Sequence, residues 1–160
     1  MTQEKPKFIF DECIGKPIVD EIARLQNMAE AEDQATVKHI LDMQPHGIWD
    51  EIWAPKIVPE GWIIISGDRG KKGRKKGEKL PIICLQYSIS HVLLGPSAHN
   101  QRNFSKLLTI LSVWFDLVKV VPGAPKGSRF AIESATRGHG RLVPKPTPKT
   151  GTPPPPGMLF

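Results

Sequence analysis

The stretch Phe8-Ile9-Phe10-Asp11-Glu12-Cys13 sets three bulky apolar residues directly against two acids. Three are too few for a helical face, and the abrupt change reads as a buried parallel strand whose carboxyl end opens onto solvent. Open α/β sheets place their sites at such ends. Trp62-Ile63-Ile64-Ile65-Ser66 copies the design, with Asp68 following after one glycine. Two parallel strands of this kind bring Asp11 and Asp68 to one edge, where carboxylates repel one another unless a proton or a cation sits between them. A hard, oxygen-only ligand set selects Mg²⁺ or Mn²⁺ rather than zinc.

Around these two strands the chain alternates. Gly15-Lys16-Pro17 opens a helix that runs to about Ala31, with Ile18, Ile22, Leu25 and Ala29 at helical spacing. Thr36 to Leu41 is branched enough for a second strand. Ile48 to Trp53 forms a short helix cut by Pro55 and Pro59. Asp50 lies near its start, where the helix dipole alone favours a carboxylate by ~0.3–1 kcal/mol. Residues 80–90 read as a helix, His91-Val92-Leu93-Leu94 as a strand, and residues 97–121 as one long helix. Its stripe of Phe104, Leu107, Leu108, Leu111, Trp114, Phe115 and Val118 is expected to be core. Arg129 to Glu133 offers a fifth strand. The whole is an α/β domain with a single, mostly parallel five-stranded sheet and helices on both faces.

At 160 residues the chain fits one domain, assigned to residues 1–140. Residues 141–160 are a proline-rich tail whose composition cannot bury enough surface to fold, and disorder is expected there. Cys13 and Cys84 have no paired spacing, which argues against both a disulfide and zinc and leaves them as small buried hydrophobes in a reducing compartment. The amino-terminal residues lack the apolar core of a signal peptide, and no run approaches the ~20 apolar residues of a membrane span. A cytoplasmic protein without membrane partners is the expectation.

The formal net charge is +6, and residues 69–79 account for all of it. Arg69, Lys71, Lys72, Arg74, Lys75, Lys76 and Lys79 stand there against Glu78 alone. A lysine run is ordinarily a solvated loop. This one begins at the residue after Asp68, so a polyanion drawn to it arrives beside the acids. A metal held by clustered carboxylates lowers the pKa of an attacking water and stabilises charge on a leaving oxygen, as phosphodiester hydrolysis requires. The combination predicts a metal-dependent nuclease, with Arg69, Lys71, Lys72, Arg74, Lys75 and Lys76 holding the substrate backbone; the resemblance described next makes that substrate RNA.

Phe10-Asp11-Glu12, Asp50-Glu51-Ile52-Trp53 and Trp62 to Arg69, in that order, resemble the PIN-like fold. Within it they resemble the VapC-type toxin ribonucleases, which pair an opening Asp-Glu with an Asp-x-x-Trp helix and a Ser/Thr-x-Asp strand end. The resemblance spans roughly residues 7–135. It implies a sheet ordered 3-2-1-4-5 and a catalytic site of Asp11, Asp50 and Asp68 around Mg²⁺ or Mn²⁺. It also implies RNA cleavage restrained by an antitoxin protein, and a homodimer. Glu12 matches the second acid of the opening pair, Ser66 matches the small hydroxyl residue, and Trp53 falls to the core. The fourth acid that such domains often carry has no match, because Glu78, Asp116 and Glu133 fit no motif; the site is then either three-carboxylate or completed by Glu12.

Other α/β phosphate chemistries fit less well. A receiver-like domain needs a lysine where Glu133-Ser134-Ala135 stands, a haloacid-dehalogenase-type phosphatase needs an aspartate at Cys13, and a dinucleotide site needs more glycines than Gly15. The serious alternative is a non-catalytic PIN-like domain that binds RNA or a partner through residues 69–79. The five histidines form no zinc spacing. His91 reads as a satisfied boundary residue, His99 and Asn100 are placed to face the site, and Arg137, His139 and Arg141 offer further phosphate contacts.

Overall fold

Alternation along the apolar strands sorts their side chains onto two faces, both buried. The computed structural model describes residues 4–67 and 80–146. Four parallel connections place β1 (Lys7–Phe10), β2 (Thr36–His39), β3 (Ile63–Gly67), β4 (His91–Leu94) and β5 (Arg129–Thr136) in one sheet. β6 (His139–Lys145) adds an antiparallel edge. Phe8, Phe10, Ile63, Ile65, Val92, Leu94 and Ile132 point to one side, against α1 (Lys16–Gln26), α5 (Asn103–Ser112) and α6 (Trp114–Gly123). Ile9 and Ile64 point to the other, against α2 (Asp50–Trp53), the 3-10 turn Ala54–Glu60 and α3 (Leu80–Gln86). Burying each such side chain stabilises the fold by ~1.5–3 kcal/mol. A strand covered on both sides reads as a continuous apolar run, which is why Phe8 to Phe10 and Ile63 to Ile65 look alike in the sequence.

The strand order is β2-β1-β3-β4-β5-β6, not 3-2-1-4-5, and there are six strands rather than five. Composition gives the reason. All five residues of β3 are buried, as suits a central strand, whereas β2 carries exposed Lys38 and half-exposed Thr36 and Val37. A charged, half-wet strand belongs at an edge. The sixth strand begins after Gly138, whose φ of 74° turns the chain back along β5. Pro144 is tolerated in it because an edge strand has one side with no ladder to make. The boundary placed after residue 140 therefore falls inside β6, and the sheet continues to Lys145.

The long helix expected over residues 97–121 is three helices, α4 (Pro96–His99), α5 and α6. The turn at Asn100 to Arg102 and the non-helical Val113 (φ −107°, ψ 10°) each rotate the apolar face. Ile110, Val113, Trp114, Leu117, Val118 and Val121 are buried, while Phe104, Leu108 and Phe115 of the expected core stripe are exposed. Trp53 is core as read. No described helix is long and apolar enough to cross a membrane.

Candidate functional site

Two neighbouring strands whose connections leave in opposite directions open a crevice at their carboxyl ends. Here those strands are β1, which leads to β2 on one side, and β3, which leads to β4 on the other. Asp11 stands at this point. Its amide donates to the Ile65 carbonyl at 2.9 Å, which carries the β1–β3 ladder one residue past the strand. The chain then turns, with the Ile14 amide donating to the Asp11 carbonyl at 3.0 Å. Buried His39, at the end of β2, fixes that turn. Its Nδ1 accepts from the Leu41 amide at 3.1 Å, so the ring proton sits on Nε2 and is donated to the Ile14 carbonyl at 2.8 Å.

Cys13 ties the two strand ends together. Its thiol donates to Asp11 Oδ2 at 3.2 Å, and its sulfur accepts the Gly67 amide at 3.0 Å. It is half-buried and hydrogen-bonded, not the inert core residue that its type suggested. Burial pushes the Asp11 carboxyl above the ordinary carboxylate range, against the Cys13 thiol and the Glu12 amide, which pull it down. The charge of Glu12 adds to the upward push. Among the described residues no lysine or arginine forms an ion pair with Asp11.

Glu12 faces elsewhere. Oε1 accepts the Gly47 amide at 3.0 Å and Oε2 meets His46 Nδ1 at 2.9 Å, so each oxygen has one contact to the segment that leads into α2. Asp50 is the first residue of α2, and its Oδ1 accepts Trp53 Nε1 at 3.0 Å. The Cys84 thiol in α3 is pushed up by burial first and then by Asp50 and Asp11, which sets both carboxylates within electrostatic reach of one sulfur. Asp68 and the basic residues Arg69, Lys71, Lys72, Arg74, Lys75 and Lys76 lie outside the described residues. Among the described residues no three histidines, cysteines or acids stand together as a metal cluster.

Ser66 pairs with a histidine of the next strand. Its Oγ meets Nε2 of fully buried His91 at 2.6 Å, and burial pushes that imidazole down to about 3, so it stays neutral. The pair holds β3 to β4 inside the sheet. The buried ring of His99 lies directly over Gly67, where a Cβ would have to go. Arg137 reaches the first turn of α5, with Nε donating to Ser105 Oγ at 3.3 Å.

Two residues near Asp11 escaped the sequence reading. The type and unpaired spacing of Cys13 suggest only a small buried hydrophobe. Lys106, on α5, is buried, and its ammonium is pushed down by that burial while the Cys13 sulfur pulls it back up. The available signal was its position in the apolar period, four residues before Ile110. A separate groove of about 440 Å³ opens at the opposite, amino-terminal edge of the sheet among Lys7, Trp62, Tyr87 and Ser88, and none of the sequence-predicted acids lines it.

Residues 6–80 match the family model described as a PIN like domain, just under half of the chain. The matched segment contains Asp11, Glu12, Asp50 and Asp68, and PIN-like domains form a superfamily of nucleases. Neither the curated proteins nor the solved structures contain a match.

Proposed function

We propose that the chain is an endoribonuclease whose carboxylates Asp11, Asp50 and Asp68 hold Mg²⁺ or Mn²⁺ at the carboxyl edge of the sheet. The observation that carries the reading is Asp11. A half-buried carboxylate at the β1/β3 crevice, without an ammonium or guanidinium partner among the described residues, is disfavoured as an anion, and a cation offsets that penalty. The donor chemistry fits a hard ion. Bound there, the ion supplies an activated water and stabilises charge on the leaving oxygen.

The chain's own residues prepare the site. The Cys13 thiol fixes Asp11 Oδ2 and thereby the rotamer of the carboxylate. Glu12 acts as a tether, anchoring the segment that delivers Asp50, rather than as the fourth ligand. Arg69, Lys71, Lys72, Arg74, Lys75 and Lys76, which follow Asp68 directly, draw the RNA backbone to the acids.

The narrower assignment, a toxin held in check by an antitoxin and acting as a homodimer, is supported by the resemblance of residues 10–12, 50–53 and 62–69 alone. Its test is growth arrest on expression in a host, relieved by Asp68→Asn. For the nuclease itself, purified protein is incubated with mixed cellular RNA in Mn²⁺, in Mg²⁺ and in EDTA, alongside Asp11→Asn and Asp68→Asn. Cutting confined to the metal-containing wild type is expected. Equal RNA binding by all proteins with cutting by none would replace this reading with a non-catalytic RNA-binding domain.

A further inference from the structure

Trp49 stands apart from the other tryptophans. Trp53, Trp62 and Trp114 are buried in the two cores, whereas Trp49 is 69 % exposed. An indole left in water forfeits the stabilisation that burial of so large an apolar group would supply. The exposed ring is carried on a fixed backbone. The Trp49 carbonyl accepts the Ile52 amide at 2.9 Å and the Trp53 amide at 3.2 Å, so Trp49 is the residue from which α2 starts. Trp53 in turn is locked in the core and donates its Nε1 to Asp50. The attachment point of the ring is thus ordered before any partner arrives, which lowers the entropy lost on binding.

The connection that carries Trp49 places it. β2 and β3 both run parallel to β1, so the chain leaves β2 at the carboxyl edge, where His39 ends the strand. Within this connection His46 and Gly47 meet Glu12, the residue after Asp11. Trp49 follows, and Asp50 is the next residue. Consecutive Cα atoms are about 3.8 Å apart, so the ring is anchored beside a carboxylate proposed to hold the ion. Met43 and Ile52 are the other exposed apolar residues here, and Asp42, His46 and Asp50 interrupt them along the chain. A protein partner needs a continuous apolar patch from which charge is depleted. A flat ring among charged residues suits a nucleobase, which offers a π face to stack and polar edges to solvent.

We propose that Trp49 is a base-binding residue, whose indole stacks on an unpaired base flanking the phosphate to be cut. The inference rests on the nuclease reading and deepens it, because it adds to that site a substrate contact outside the carboxylates and the basic run.

The test uses the full chain in EDTA, with a short single-stranded RNA and the same RNA annealed to its complement. Because the other three tryptophans are buried, acrylamide quenches chiefly the emission of Trp49. The single strand is expected to shield that emission and the duplex to leave it open. Trp49→Ala should bind the single strand roughly 5- to 150-fold more weakly, the range for one base–aromatic stack. The salt dependence of its affinity should match that of wild type, since no phosphate contact is lost. Trp49→Phe should recover part of the affinity, and Phe115→Ala, which removes an exposed ring of α6, should lose none. In Mn²⁺, KM for cleavage should rise in Trp49→Ala while kcat holds. The shielding measurement is made on wild type, so it stands even if the alanine variant folds poorly.

Wild-type affinity in Trp49→Ala, with emission unshielded in the wild-type complex, overturns the stack and leaves the nuclease standing. So does a fall in kcat at unchanged affinity, which would make the ring a support for Asp50. Equal shielding by the duplex overturns the assignment to an unpaired base. Shielding that grows with protein concentration in the absence of RNA assigns the ring to a contact between copies of the chain and overturns the stack. Trp49-dependent RNA binding in a protein that never cuts overturns the nuclease and leaves the stack standing. No RNA binding by wild type overturns both.

Discussion

The thiol of Cys13 donates to Oδ2 of Asp11 at 3.2 Å, and this contact stabilises the charged form of a carboxylate that burial disfavours. Cys13→Ala removes it. The Asp11 carboxyl then rises further, so the acid limb of the pH–rate profile for RNA cleavage should move to higher pH, with folding stability lower by ~0.5–1.5 kcal/mol for the lost hydrogen bond. Cys13→Ser, which keeps a donor, should lie between. An unmoved acid limb in Cys13→Ala would mean that the thiol does not act on Asp11.

Asp11→Asn should make the metal-free protein more stable at neutral pH. The folded-state pKa of Asp11 is raised, so its contribution to stability is fully present below the unfolded value of ~3.9 and is lost as pH rises through the folded value. At pH 7 the wild type thus bears the cost of a half-buried anion that asparagine lacks. Thermal melts in EDTA should give a higher Tm for Asp11→Asn at pH 7, with the difference closing toward pH 3. Mn²⁺ should raise the Tm of wild type and not that of the variant.

His91 acts in the opposite sense. Its folded-state pKa is depressed to about 3, so the stability it contributes is present above its unfolded value of ~6.5 and is lost as pH falls toward 3. His91→Gln should flatten the fall in Tm between those limits, at the expense of stability at pH 7. Ser66→Ala should destabilise by ~1–3 kcal/mol, because it strips the buried Nε2 of its partner. Since the Ser66 hydroxyl is engaged by His91, cleavage by folded Ser66→Ala should be little changed; loss of activity without loss of stability would place Ser66 at the site.

Gly67→Ala should be harmful out of proportion to its size. The added Cβ meets the His99 ring, and Gly67 also donates its amide to Cys13. A cost of ~1–3 kcal/mol is expected from overpacking. His99→Ala should relieve much of it, so the double variant should be more stable than the sum of the single changes predicts. Strict additivity in denaturant melts would remove the ring as the cause.

The run Phe8 to Phe10 with acids at its end, and the Ile63 to Ile65 run, were legible because a strand buried on both faces has a composition that few other elements share. Strand order was less so. Lys38 in β2 and the wholly buried β3 carry that information, and the order 3-2-1-4-5 implied by the resemblance conflicts with it. The breaks at Asn100 to Arg102 and at Val113 involve no proline or glycine, and nothing local announces them. At the candidate site, the acids after an apolar run draw attention to the end of β1, and the structure packs the His99 ring over Gly67 at the end of β3. The partner of Ser66 and the tether made by Glu12 depend on contacts 25 and 35 residues away, which periodicity does not encode. Lys106 was visible as a charge inside an apolar period, once that period was followed through residue 110.

The most direct measurement of the central claim is the initial rate of cleavage of one labelled RNA as Mn²⁺ is titrated into wild type and into Asp11→Asn, each first stripped with EDTA. Saturable, metal-dependent cutting by wild type and a loss of at least 10³-fold in the folded variant are the predicted result, given the weight that a metal-held water carries in such chemistry. Equal rates in the two proteins, or wild-type cutting that persists in EDTA, would contradict it.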